Sequence, residues 1–163
     1  MQAKRSADRL ESSLWDRLRA SESAPESPYS RQQQYRRLRV LREQIQREVL
    51  FLLTTRQRFV GDEASRWRAV ESSVLNFGLP DFSGLTSSGV ELGQITRLIQ
   101  RKLEHFEPRF HRGSIAVECR FAAQPDHLIV FIGGQFGPSN DAQTFVLEVV
   151  ICLTSGEIAE YLG

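Results

Sequence analysis

At Glu107-Pro108-Arg109 the hydrophobic pattern of the chain changes its period. Upstream, Leu92, Ile95, Ile99, Leu103 and Phe106 recur three and four apart, one stripe of an amphipathic helix. Downstream, Ile115, Val117, Cys119 and Phe121 alternate with Ala116, Glu118 and Arg120, the pattern of a strand with one face buried. Pro108 has no amide hydrogen and disfavours helical geometry at Glu107, so the incoming helix must stop here. A chain that is helical before one point and sheet after it is α+β. It predicts helices packed on one face of a small, mainly antiparallel sheet of three or four strands. In an extended segment, residues two apart project to the same side, which predicts that Glu107 and Arg109 point together and Pro108 points away. A fixed acid–guanidinium pair of this kind serves either as a clamp within the domain or as an anchor for a partner.

With 163 residues the chain can fill one core and is too short for two comfortable domains. Residues 1–30 read as a flexible N-terminal segment with a short helix, in which Leu10, Leu14, Trp15 and Leu18 keep helical spacing. A Ser/Pro/Glu linker at 21–28 separates that segment from a domain spanning 31–163. In this domain Leu38, Leu41, Ile45, Val49 and Leu52 predict a helix over Arg31–Thr54, with Arg36, Arg37, Arg39, Arg42, Glu43, Arg47 and Glu48 on its polar side. So many guanidinium groups raise a nucleic-acid reading, but a formal net charge of +1 makes a solvated helix face the stronger one. Residues 72–84 mix glycine, proline and aromatics, which predicts an ordered loop carrying hydrophobic pegs. Ser88 and Glu91 form a capping box for the next helix.

In the second half, Gln124-Pro125-Asp126 signals a turn before the apolar run 127–132. The stretch 133–141, rich in glycine, reads as a mobile loop or wide hairpin connection. Residues 145–153 are the most apolar of the chain and predict a strand covered on both faces. Because only Glu148 guards it, 143–153 is read as the free edge at which a partner strand adds; were it central, the edge would lie on 114–121. Thr154-Ser155-Gly156 turns the chain into a last short segment. The two cysteines, Cys119 and Cys152, both fall in strands and read as small buried residues of a reducing compartment.

Several function classes lack their residues. No apolar run approaches a bilayer span, and the first residues lack the apolar core of a secretory signal, which predicts a cytoplasmic location without membrane insertion. There is no Gly-x-x-x-x-Gly-Lys-Ser/Thr phosphate cradle. His105, His111 and His127 share no metal spacing with the cysteines, and no nucleophile–base pair can be assigned. Glycoside hydrolysis needs two carboxylates across a cleft. Glu107 could supply one, but Arg109 makes it an ion-pair partner rather than a proton donor. These readings predict a protein that is not an enzyme and needs no cofactor, metal, small-molecule substrate or nucleic acid.

Four elements, taken in order, resemble one family. They are Leu14-Trp15-Asp16-Arg17-Leu18, Leu52-Leu53-Thr54-Thr55-Arg56, the run from Ser73 through Asn76-Phe77-Gly78-Leu79-Pro80-Asp81 to Phe82, and Glu107-Pro108-Arg109. Together they are similar to TssE, the baseplate subunit of bacterial type VI secretion systems, which groups with phage baseplate wedge proteins once labelled lysozyme-like. Thr54 stands where asparagine is usual and Phe77 where tyrosine is common. The resemblance covers almost the whole chain and implies a structural assembly protein at the inner-membrane-docked baseplate. It implies that Glu107, Pro108 and Arg109 bind the wedge core of TssF and TssG, with TssK a further neighbour. It also implies that the sheet templates the contractile sheath of TssB and TssC. The old label invites a second reading as a peptidoglycan hydrolase, and the arginine-rich helix a third as a nucleic-acid-binding module.

Overall fold

A computed structural model of the chain describes residues 31–58, 70, 73–81, 92–124 and 126–162. The N-terminal segment 1–30, its Leu14–Leu18 element, and the capping box at Ser88 and Glu91 lie outside the described residues. Helix α1 spans Arg31–Thr54 and α2 spans Leu92–Phe106, with one turn of 3-10 helix, Val74–Asn76, between them. Four strands follow: β1 (Ala116–Phe121), β2 (His127–Phe136), β3 (Gln143–Cys152) and β4 (Ile158–Leu162). They pair antiparallel in the order β1-β2-β3-β4, a meander in which every connection is a hairpin. The fold is α+β, with the fourth strand supplied by the short segment after Gly156.

The helical stripes become the core as their spacing predicts. On α1, Leu38, Leu41, Ile45, Val49 and Leu52 are all buried; on α2, Ile95, Ile99 and Leu103 are. They meet one face of the sheet, where Cys119 of β1, Leu128, Val130 and Ile132 of β2, and Phe145, Leu147, Val149 and Ile151 of β3 stand in register. Helix α2 packs against β1 and α1 against β3, so both helices cover the same side.

Several expectations are corrected. Strand β3 is covered on one face only, and Val146 on the other face is 55% exposed. Its side chains alternate in environment although most of its residues are apolar, because α1 and α2 lie on the same side. Nor is β3 an edge: it lies between β2 and β4, and the two edges are β1 and β4. Cys152 is half-buried rather than buried.

The glycines at 133 and 134 do not start a loop, since β2 runs on to Phe136 and the hairpin connection is confined to 137–142. Gly134 is where the Phe110 ring comes close against the strand. A Cβ there would come within 2.7 Å of the Phe110 Cδ1. Glycine inside a strand often marks such a close approach, which a reading of glycine as a breaker misses.

Candidate functional site

Helix α2 ends as Pro108 demands. The Glu107 amide still closes the last helical bond, donating to the Leu103 carbonyl at 2.9 Å, and the chain then turns. The segment is a tight turn rather than an extended stretch: the Phe110 amide reaches back to the Glu107 carbonyl at 3.4 Å, and Phe110 bridges to Phe136. Its two charges still come together. Arg109 donates through Nε to Glu107 Oε1 at 2.6 Å and through Nη2 to Glu107 Oε2 at 2.5 Å, a bidentate fork. The Arg109 amide adds a third bond to the same carboxylate at 3.3 Å.

Burial divides the roles within the turn. Glu107 is 4% exposed, the Arg109 side chain 16%, and Pro108 projects to solvent. A carboxylate so deeply placed needs its guanidinium, because an uncompensated buried charge is costly. Arg109 in turn reaches across to α1, where its Nη2 lies 2.8 Å from Glu48 Oε2. Glu48 is the member that sequence reasoning misses; it reads there as one more charge on a solvated helix face. Its position one helical turn before Leu52, on the rim of the buried stripe, is the signal that could have found it.

Beside this cluster lies an apolar shoulder. The Phe77 ring is 5.4 Å from Phe51 and 5.2 Å from Phe106, the residue before Glu107. Phe51 lies one turn after Glu48 on α1 and is 63% exposed, while Val74 and Leu75 in the neighbouring 3-10 turn are 81% and 64% exposed. Among the described residues of the loop expected to carry hydrophobic pegs, Phe77 and the buried Leu79 pack inward, while Val74 and Leu75 face outward.

The loop is pinned in place by backbone and charge. Leu79 donates to the Thr55 carbonyl and accepts from the Gln57 amide, both at 2.8 Å. Gly78, at φ +96°, has no room for a Cβ against the Thr55 carbonyl. Arg56 pairs with Asp81 and also donates to the Ser155 carbonyl at 2.5 Å. Lys102 of α2, buried, donates to the Asn76 carbonyl at 2.6 Å. The sequence elements 52–56, 73–81 and 107–109 are thus parts of one knot that joins the ends of α1 and α2.

The histidines are engaged separately: His105 stacks edge-on to Phe106, His111 Nε2 donates to the Gly137 carbonyl at 2.7 Å, and His127 pairs with Asp126. Among the described residues no group of three or more His, Cys, Asp or Glu is placed to hold a metal ion. Nor is any described helix long and apolar enough to cross a membrane.

A helix pair on a four-stranded meander, with a charge fork at its junction and an exposed apolar shoulder beside it, has the make-up of an assembly module. The baseplate wedge protein gp25 family matches residues 39–140, well over half of the chain, and the chain belongs to that family. The matched span holds Glu48, the Glu107-Pro108-Arg109 turn and strands β1 and β2, and ends in the hairpin before β3. It is the family to which TssE belongs, and membership implies a structural role in a baseplate, in association with other baseplate components. No curated protein and no solved structure gives a significant match.

Proposed function

We propose that the chain is the TssE-type baseplate subunit of a type VI secretion system. In this reading it attaches to the TssF–TssG wedge core through the Glu107-Pro108-Arg109 turn, with TssK a further neighbour. The observation that carries the attachment is an arginine fork held rigid by a buried carboxylate, at an exposed turn bordered by exposed apolar side chains. Interface anchors combine such features: a preorganised arginine costs little entropy to immobilise, and aromatic and aliphatic side chains supply buried area. In this reading the labour divides with burial. Glu107 acts through Arg109, and the contacts are made by Pro108, the exposed rim of Arg109 and the Phe51–Val74–Leu75 shoulder.

The second half of the proposal concerns the sheath of TssB and TssC, which would add a strand to the sheet. With β3 internal, β1 is the better acceptor. It pairs in regular register over all six residues and contains neither lysine nor proline. Strand β4 is shorter, and its pairing with β3 is interrupted by a bulge at Val150/Ile151, features that blunt an edge. Such an assembly works in the cytoplasm, at the baseplate docked on the inner membrane.

The test is affinity purification of the chain from cells that make the secretion system, with single cysteines along β1 and β4 for crosslinking. Co-purification of TssF, TssG and sheath subunits, with crosslinks from sheath arms to β1, is the expected result. Absence of TssF and TssG overturns the attachment, and absence of sheath crosslinks to either edge overturns strand addition.

A further inference from the structure

Two adjacent glycines of β2 face opposite sides of the sheet, and the fold fills the space over one of them. On the helix-covered side the Phe110 ring takes the place of a side chain at Gly134. On the open side, a Cβ at Gly133 would meet the Ala116 carbonyl oxygen at 4.0 Å. Among the described residues, its chain neighbours aside, no side chain comes within 4 Å of that position. Pairing sets Ala116 of β1 on one flank and Val146 of β3 on the other, both exposed. Phe131 and Gln135, two residues away along β2, project to the same side. The result is a notch floored by backbone and walled by three apolar side chains and one carboxamide. Glycine inside a strand often marks the close approach of another group, and an aromatic ring laid over it restores the lost contact.

The notch lies close to the point where the described chain begins. The β2–β3 ladder ends at the Phe136–Gln143 pair, about 10 Å beyond Gly133. At the hairpin that follows, Gln34 of α1 donates to Asp141 Oδ2 at 3.2 Å, and the Leu38 side chain packs against Gly137. The stretch after Arg58 leaves instead from the opposite end of the sheet, where Arg56 donates to the Ser155 carbonyl. Residues 1–30, outside the described residues, therefore join the fold on the notch side. Within them Leu10, Leu14, Trp15 and Leu18 keep helical spacing, an apolar stripe that needs a surface to cover it. Residues 19–30 reach up to about 40 Å when extended, enough to pass the hairpin and return to Gly133. A tether of that length holds the stripe at roughly millimolar effective concentration, so even a modest contact is populated.

We propose that the 10–18 segment docks on the open face of the sheet, with the Trp15 indole seated over Gly133 between Ala116 and Val146. The ring does at Gly133 what Phe110 does at Gly134 on the other side. Gln135 at the rim offers its amide oxygen to the indole N–H, a donor that takes a partner when buried. The segment is a cover for an apolar patch that the two helices leave wet. The inference concerns the chain by itself and is independent of its attachment to a wedge or a sheath. Docking of this kind opens locally, well short of global unfolding, so it is read at Trp15 rather than from the melting of the domain.

The chain has two tryptophans, Trp15 and Trp67, and Trp67→Phe in the full chain leaves Trp15 as the fluorescent reporter. Should that substitution unfold the protein, the difference spectrum between wild type and Trp15→Phe reports the same group. Trp15 emission is expected to lie blue of its position in urea, with acrylamide quenching severalfold weaker. Gly133→Thr fills the notch with a side chain for which the strand has room. It should return both readouts to their values in urea while circular dichroism stays unchanged. Val146→Glu, at an exposed position on the flank, gives the same comparison if Gly133→Thr alters the circular dichroism. A Trp15 as exposed in the folded chain as in urea overturns the proposal. So does protection that survives both substitutions in folded protein. Protection that fades on dilution together with a dimer in sedimentation assigns the face to a second copy and overturns it as well.

Discussion

In the middle of β2 and β3 apolar side chains stand on both faces of the sheet and have opposite fates. On the helix side, Leu128, Val130, Ile132, Leu147 and Val149 are no more than 1% exposed. On the other side, Ile129, Phe131 and Val150 are half-buried and Val146 is exposed, with Arg120 laid over the Phe131 ring at 4.6 Å. Strand pleating sends neighbours to opposite faces, and only the positions of the two helices decide which face is dry. Hydrophobicity alone therefore says little about cover, and substitution in pairs says a great deal.

The largest contrast is expected between adjacent residues. Leu147→Ala removes a fully enclosed side chain and should cost about 3 kcal/mol in urea unfolding, while Val146→Ala should stay within about 0.5 kcal/mol. Equal costs at the two positions would break the one-sided account. Arg109→Ala comes next. It strands the buried Glu107 carboxylate and should cost about 3 kcal/mol by the same measurement, and a loss under about 1 kcal/mol would show that the fork does not hold the turn.

Gly134→Ala drives a methyl group into the Phe110 ring on the dry face, with an expected loss of about 1–3 kcal/mol. Combining it with Phe110→Leu should give less than the sum of the two single losses; simple addition would mean that ring and glycine do not meet.

The smallest effect belongs to the wet face. His127 holds the Asp126 carboxyl below its usual range. A depressed folded-state value adds stability above the unfolded value near about pH 4, and that stability is lost as pH falls through the folded value. The melting temperature of Asp126→Asn should therefore converge on that of the wild type in acid and fall slightly below it near neutrality.

Legibility followed the physics of each feature. Both helices were legible because a buried stripe on a wet helix imposes a three/four spacing, as Leu38 through Leu52 and Ile95 through Leu103 show. The end of α2 was legible because Pro108 acts locally. Strand order was not legible, since nothing in the composition of 143–153 separates an inner strand from an edge once its neighbours are unknown. Gly134 was misread for a related reason: its role is set by the Phe110 ring, far off in sequence. The pairing of Glu107 with Arg109 was readable from spacing, although in a turn rather than an extended segment. Glu48 was not, because only tertiary packing brings α1 to the turn.

That the turn at Glu107-Pro108-Arg109 is an attachment point is tested most directly where it can be altered without touching its internal ion pair. Pro108 is exposed, and Pro108→Glu places a bulky charge at the tip while Glu107 and Arg109 keep their partners. The measurement is the affinity of purified TssF–TssG for wild-type and Pro108→Glu protein at matched folded fraction. The account predicts a loss of about tenfold or more, the size of effect seen when a central interface position is blocked. Unchanged affinity in a folded Pro108→Glu protein would contradict it and leave the fork as an internal clamp alone.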